Sequence, residues 1–235
     1  MSNRENLILF NKFVSRISNP KLKQLWKKSG IHFKEKFFDF MYTDLLNYKK
    51  PTILELGAHV GFSTSIFLDI CNIRNGKLYS VDIADYSNNF KDKRWNFIKS
   101  RDDNFKLLDK LIPKKIDILL IDTIHKAAHV KKIIYHFYPK LKTNGLIIVD
   151  DISWLYYVKK GPRDNFFMEI NNKETFNKIL EIFNANQENL NLEFNFSHSG
   201  VCKLKKKNSN YLKKETKIPS RDFTIKNLIK KIIKK

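Results

Sequence analysis

Two acidic constellations stand where apolar runs stop. One is Leu120-Ile121-Asp122-Thr123-Ile124-His125; the other is Gly145-Leu146-Ile147-Ile148-Val149-Asp150-Asp151. If the runs are strands of an open α/β sheet, their ends share one crevice. Asp122, Asp150 and Asp151 then converge, and like charges held together raise one another's pKa. A divalent cation relieves that repulsion. All-oxygen ligation favours a hard ion, Mg²⁺ first, then Mn²⁺ or Ca²⁺. Plainer readings stand beside this one: Asp150-Asp151 also reads as a turn, and His125 as a capping or packing residue. His125 and His129, four apart, can form one face of a zinc site, although no Cys or third His stands nearby in sequence.

A third constellation has the residues of a ligand cradle. Ile53-Leu54-Glu55-Leu56-Gly57-Ala58-His59-Val60-Gly61-Phe62-Ser63-Thr64 runs from a buried strand through a glycine turn into a helix. Gly57 permits a tight turn and close approach of a ligand to backbone, and Gly61 serves the same need one turn later. Ser63 or Thr64 suits the helix cap. The spacing fails the dinucleotide fingerprint, because His59 and Phe62 stand where glycines are required, and the P-loop Gly-Lys-Ser/Thr is absent. What remains is E-x-G-x-x-x-G. Asp82 ends the next apolar run, 27 residues after Glu55, where a carboxylate can accept hydrogen bonds from two ribose hydroxyls. The third run ends near Ser100-Arg101-Asp102. Asp82 and Asp102 each read equally well as ordinary strand-end turn residues.

These residues need a scaffold that brings strand ends together, and the apolar patterning predicts one. Short runs at Thr52–Leu56, Lys77–Val81, Trp95–Ile98, Ile116–Ile121 and Gly145–Val149 alternate with helical patterns at Ser63–Cys71, Asn104–Leu111 and Ala127–Leu141. Such alternation means βαβ units and a parallel sheet. Near-continuous apolar strands such as Ile118-Leu119-Leu120-Ile121 fit a sheet covered on both faces. Glu174–Phe183 reads as a helix, and Leu190–Phe196 with Val201–Leu204 as an antiparallel hairpin around Ser197-His198-Ser199-Gly200. Residues 5–48 read as helical, 205–220 as a polar linker and Phe223–Lys235 as a basic amphipathic helix. Ile152–Phe167, with Trp154, Tyr156, Tyr157, Phe166 and Phe167, reads either as an aromatic lid or as core. The expected organisation is an N-terminal helical segment (1–50), a catalytic domain (51–204) and a basic tail (205–235).

The E-x-G-x-x-x-G loop resembles motif I of class I methyltransferases. The stretch from Ile116 to Ile152 is similar to the macrocin-type sugar O-methyltransferases and the cephalosporin-hydroxylase-like proteins of the methyltransferase 24 family. The likeness rests on Asp122-Thr123-Ile124-His125, Lys142-Thr143-Asn144-Gly145 and Asp150-Asp151, and extends over about residues 50–204; Thr123 stands where that family usually has Gly. The resemblance implies a Rossmann-like fold: a mostly parallel seven-stranded sheet with a C-terminal antiparallel hairpin and helices on both faces. It implies S-adenosylmethionine bound around Glu55, Gly57, Ala58, Gly61, Ser63, Asp82, Ile83, Asp102 and Asp122. It further implies Mg²⁺ on Asp122, Asp150 and Asp151, His125 as general base, and a hydroxyl of a small molecule or sugar as acceptor.

The remaining composition bounds the setting. The 235 residues carry 45 Lys/Arg against 24 Asp/Glu, a net charge of +21. Residues 203–235 hold 13 Lys/Arg and two Asp/Glu, about half of that excess. Part of the charge reflects a chain rich in Lys, Asn and Ile throughout. A basic amphipathic end over 221–235 can dock on the domain or lie on an anionic membrane surface. Nucleic acid ranks behind these, because no RNA-binding module and no Asn/Asp-Pro-Pro-Tyr motif for base methylation is found. A nucleic-acid methyltransferase and a non-catalytic protein retaining the fold are the alternative functions. Two cysteines, no long apolar span and no signal-peptide pattern lead us to expect a cytoplasmic protein, peripheral to a membrane if the tail engages one. The oligomeric state stays open.

Overall fold

A computed structural model describes residues 3–29, 31–155, 166–219 and 225–233. The N-terminal segment is a string of helices: α1 (Asn3–Arg16), α2 (Pro20–Ser29), the short α3 (Ile31–Phe33), a π-helical turn (Lys34–Phe38) and α4 (Asp39–Leu45). Strands and helices then alternate: β1 (Thr52–Leu56), α5 (Phe62–Arg74), β2 (Lys77–Asp82), β3 (Trp95–Lys99), α6 (Phe105–Leu111), β4 (Ile116–Ile121), α7 (Ala127–Phe137) and β5 (Leu141–Asp150). The chain continues through α8 (Phe166–Ala185), β6 (Leu190–Asn195), β7 (Val201–Lys206) and α9 (Ile225–Ile233).

The seven strands form one sheet in the order β3-β2-β1-β4-β5-β7-β6. β1 to β5 pair in parallel, and β7 runs antiparallel to both β5 and β6. Alternation along the strands sends side chains to two cores. On one face Ile53, Leu78, Ile118, Leu120 and Ile148 pack with α5 and with Phe13, Trp26, Phe37, Phe38 and Tyr42 of the N-terminal helices. On the other, Leu54, Leu56, Leu119, Ile121, Ile147 and Val149 meet Leu108, Val130, Ile134, Ile179 and Ile182 from α6, α7 and α8. Both faces are therefore covered, which is why β4 is buried at every position.

The N-terminal helices are locked to the sheet domain. Arg16 donates to both carboxylate oxygens of Asp69 at 2.6 and 2.7 Å, and Trp26 Nε1 donates to Ser65 Oγ at 2.9 Å.

Several boundaries differ from those read in the sequence. β5 begins at Leu141 rather than Gly145, and α7 stops at Phe137 with a 3₁₀ turn following. α8 spans 20 residues, because Asn172 and Thr175 are buried polar positions that interrupt its apolar pattern. Lys206, read as linker, belongs to β7; its Nζ donates to the carbonyls of Tyr138 and Leu141, which masks a buried strand position as a charged one. Beyond it, residues 207–219 have no regular structure but are strapped down: Lys213 N donates to Asn186 Oδ1 and Tyr135 donates to the Lys213 carbonyl. Most of the aromatic 152–167 segment lies outside the described residues; Trp154, within them, packs on Phe176 with ring centroids 4.8 Å apart.

Candidate functional site

The strand order reverses between β1 and β4, and open α/β sheets form their crevice at such a point. In-register pairing aligns the carboxyl ends: Leu56 lies beside Val81 and Ile121, and Ile121 beside Val149. Asp82, Gly57, Asp122 and Asp150 therefore follow one another along a single edge. The bend after β1 presses against the end of β4. Asp122 N donates to the Leu56 carbonyl at 2.9 Å, and Gly57, at φ +94°, leaves so little space that an added Cβ would lie 1.9 Å from the Asp122 carbonyl oxygen.

Asp82 shapes the loop itself. Its Oδ2 accepts from the backbone N–H groups of Ala58 and His59, both at 3.0 Å, and its Oδ1 from Ala84 N. Ile83 follows, largely exposed at the rim. Gly61, at φ +99°, is the residue that precedes α5, so the expected Ser63 or Thr64 cap is corrected. The Ser63 and Thr64 hydroxyls instead donate to Glu55 at 2.7 and 2.8 Å, joined by Ser80 at 2.5 Å. Glu55 is fully buried and Ser63 nearly so, and their side chains brace the loop from beneath.

The three acids do gather. Asp150, 4% exposed, ends β5, and Asp151 turns the chain at φ +56°. His125 Nε2 lies 3.7 Å from Asp122 Oδ1 and 3.5 Å from Asp151 Oδ2, between the two carboxylates. Between the acids and the protein interior sits a residue that the sequence reading did not single out. Lys36, from the π-helical turn, is 6% exposed; its Nζ lies 2.7 and 2.8 Å from the two oxygens of Asp150 and 3.6 Å from Asp151 Oδ1. It also donates to Ser199 Oγ at 2.7 Å, at the tip of the β6–β7 hairpin. One ammonium thus faces three carboxylates. Burial raises the pKa of Asp150 against the pull of Lys36, while Asp122 and Asp151 add repulsion. Asp122 is pushed up to about 7, by burial first, with Lys36 opposing and Asp151 and Glu55 reinforcing. Among the described residues no group of three His, Cys, Asp or Glu side chains is arranged to hold a metal ion.

The paired-histidine zinc face is corrected. His125 precedes α7 and turns to Asp122 and Asp151, whereas His129 Nε2 lies 2.6 Å from Asp102 Oδ2. Thr123 donates to the same Asp102 oxygen at 2.5 Å. Asp102 is buried, so it ties the β3 end to β4 and α7 while remaining at the same edge.

Comparisons with known proteins bear on the fold and on the stretch that forms this edge. Residues 54–152, from β1 to just past the acids of β5, match the protein family described as "Methyltransferase domain". The matched stretch spans the strands and bends that form the sheet edge. Over 87 residues it is 32% identical to the 8-demethyl-8-alpha-L-rhamnosyl tetracenomycin-C 2'-O-methyltransferase of Streptomyces olivaceus. That match covers 36% of this chain and 22% of the relative, about a fifth of its length. Among solved structures, the MycE methyltransferase from the mycinamycin biosynthetic pathway, in complex with Mg and SAH, superposes with a TM-score of 0.57 at 21% identity, covering 83% of this chain and 57% of that one. SAH-bound Podospora anserina methyltransferase PaMTH1 gives 0.57 at 14% identity, covering 88% and 89%. At such identities these structures establish the fold alone: an α/β, Rossmann-like, mostly parallel sheet with an antiparallel C-terminal hairpin.

Lys36 and Ser199 lie outside the matched residues. Lys36 is one of 45 Lys/Arg in the chain, and nothing in its local pattern marks it. The signal that was available is indirect: a lysine within the apolar stretch Phe33–Phe38 must be buried with a partner or distort the helix.

Glu55 makes a prediction about the stability of the fold. Burial drives its carboxyl up to about 7 despite three donating hydroxyls. The folded state therefore holds a proton that the unfolded chain releases near its ordinary carboxylate pKa, so stability falls as pH rises from about 4.5 to about 7. Glu55→Gln removes that slope, by up to about 3 kcal/mol across the window. Urea denaturation at a series of pH values from 4.5 to 8 should show the wild type losing stability relative to the variant; parallel curves would refute it.

Proposed function

We propose that the chain transfers a methyl group from S-adenosylmethionine to a hydroxyl of a small molecule or sugar, assisted by a divalent cation. The observation that carries the reading is the meeting of the Gly57–Gly61 bend with Asp82, Asp102, Asp122, Asp150 and Asp151 at one sheet edge. The methyltransferase match over residues 54–152 supports the transferred group, and the sugar 2'-O-methyltransferase relative supports the acceptor. In this reading Gly57, Ala58 and Gly61 admit the cofactor close to backbone, Asp82 both shapes that loop and accepts from ribose, and Ile83 covers the adenine with Asp102 nearby. Glu55 and Ser63 act through the loop they brace.

Asp122, Asp150 and Asp151 would hold the cation. The donor type suits one: three oxygen-bearing side chains gather at this edge, and a hard divalent ion takes oxygen ligands. MycE, whose solved complex contains Mg, supports the same choice. When bound, the ion supplies Lewis-acid chemistry that eases loss of the acceptor's proton. His125, between Asp122 and Asp151, takes that proton on Nε2. The acceptor oxygen then displaces the sulfonium in line, forming O–CH₃ as S–CH₃ breaks, and the protein's main task is positioning.

Titration calorimetry with S-adenosylmethionine, followed by methylation assays on a panel of sugar hydroxyls with and without EDTA, tests this. We expect binding of the cofactor and a chelator loss of about a hundredfold or more, restored by Mg²⁺. Undiminished methylation in EDTA would remove the metal from the reading, and methylation confined to RNA or DNA would replace the acceptor.

The tail adds a partner. Ile225, Ile229, Ile232 and Ile233 are exposed on α9 among Lys226 and Lys230, and no helix among the described residues is long and apolar enough to cross a membrane. An apolar stripe flanked by lysines suits the surface of an anionic bilayer. The chain should co-sediment with phosphatidylserine vesicles and much less with phosphatidylcholine ones, and removal of residues 221–235 should abolish the difference. Equal sedimentation of full-length and shortened chains would exclude the tail.

A further inference from the structure

We propose that Lys36 is a built-in counter-ion that competes with the divalent cation for Asp150, so that ion binding displaces the π-helical turn carrying it. The inference rests on the cation reading above and extends it to a residue from outside the matched domain. Its basis is geometric. The ammonium lies 2.7 and 2.8 Å from the two oxygens of Asp150, close to both at once, and 3.6 Å from Asp151. Oxygen ligands of Mg²⁺ or Mn²⁺ stand only about 2.1 Å from the ion. An ion ligated by Asp150 would therefore lie within a few ångströms of the ammonium, where two positive charges repel strongly in a poorly solvated site. Both cannot hold Asp150 in this arrangement.

Lys36 also has an anchor apart from the acids. Its other partner is Ser199 Oγ at 2.7 Å, and its ammonium lies 4.9 Å from the centre of the Phe37 ring. The turn itself, Lys34–Phe38, has π-helical hydrogen bonding between α3 and α4. A π-turn carries one more residue per turn than an α-helix, and such turns recur at functional sites. α4, which follows the turn, is anchored through Tyr42, whose hydroxyl donates to Asp69. In the ion-free state Lys36 keeps neighbouring carboxylates together; in the ion-bound state it leaves Asp150, and the turn that carries it moves with it.

Mn²⁺ binding to the full chain, followed by calorimetry for wild type, Lys36→Met and Ser199→Ala, tests the competition. Lys36→Met removes the competitor and should tighten Mn²⁺ binding by about tenfold or more. Ser199→Ala loosens one anchor of the ammonium while leaving every acid in place, and should tighten binding by about two- to threefold. Hydrogen–deuterium exchange on the wild type needs no variant: saturating Mn²⁺ should speed exchange at residues 34–38 while β1 and β4 stay protected. Unchanged or weaker Mn²⁺ affinity in the folded variants, or unchanged exchange at 34–38, would overturn the proposal. Absence of Mn²⁺ binding in all three proteins would instead overturn the cation reading beneath it. If Lys36→Met does not fold, Ser199→Ala and the exchange measurement decide.

Discussion

Gly57→Ala is expected to destabilise the fold by about 4 kcal/mol or more, beyond the range of ordinary substitutions. The argument is steric before it is functional. At φ +94° an alanine already pays for a left-handed backbone, about 1–2 kcal/mol. Its Cβ would then sit 1.9 Å from the Asp122 carbonyl oxygen and 2.8 Å from the carbonyl carbon, neither of which is the free end of a side chain. Relief requires β1 and β4 to part at their ends, which breaks the Asp122 N–Leu56 O hydrogen bond and shifts the acid away from Asp150. Chemical denaturation reads the stability, and calorimetry with S-adenosylmethionine reads the loop. A variant within about 1 kcal/mol of wild type would mean that the bend is not constrained as described.

The second large effect is at Asp150. Asp150→Ala removes the carboxylate that both compensates Lys36 and, in the proposed reaction, ligates the cation. Leaving a buried ammonium without its principal partner costs about 3–5 kcal/mol. Methylation should fall below detection while S-adenosylmethionine binding, which the proposed reading places at the ends of β1 and β2, is largely retained. The two contributions separate in a double-mutant cycle. Lys36→Met combined with Asp150→Ala should recover most of the lost stability, because an apolar pair often replaces a buried ion pair at little cost. Activity should stay absent. Recovery of activity in the double variant would show that Asp150 serves only to neutralise Lys36; failure to recover stability would show that the ion pair is not what holds this part of the core.

How much of this was legible in the chain follows the range of the interactions involved. The alternation of apolar runs with amphipathic helices, the bend at Gly57–Gly61 and the acids ending β2, β4 and β5 are local patterns, each written within a dozen residues. They determined a parallel sheet with its chemistry at the carboxyl edge, because burial of near-continuous apolar strands leaves their polar ends nowhere else to go. Side-chain direction was not legible. Glu55 stands one residue from an exposed bend, yet the pleat turns it into the interior, where Ser63, Thr64 and Ser80 surround it. His125 and His129 are four apart, yet the helix starts between them, so they serve Asp151 and Asp102 separately.

Lys36 marks the limit. It sits 114 residues from Asp150, in a run of charged and aromatic residues whose spacing says only "helix". The sheet edge, the π-helical turn and the hairpin tip had to be assembled before that ammonium had carboxylates to meet. The amino-acid sequence determined which chemistry was available and at which strand ends; the tertiary structure alone decided which charge would compensate it, because pairing between distant charges depends on distances that no local pattern carries.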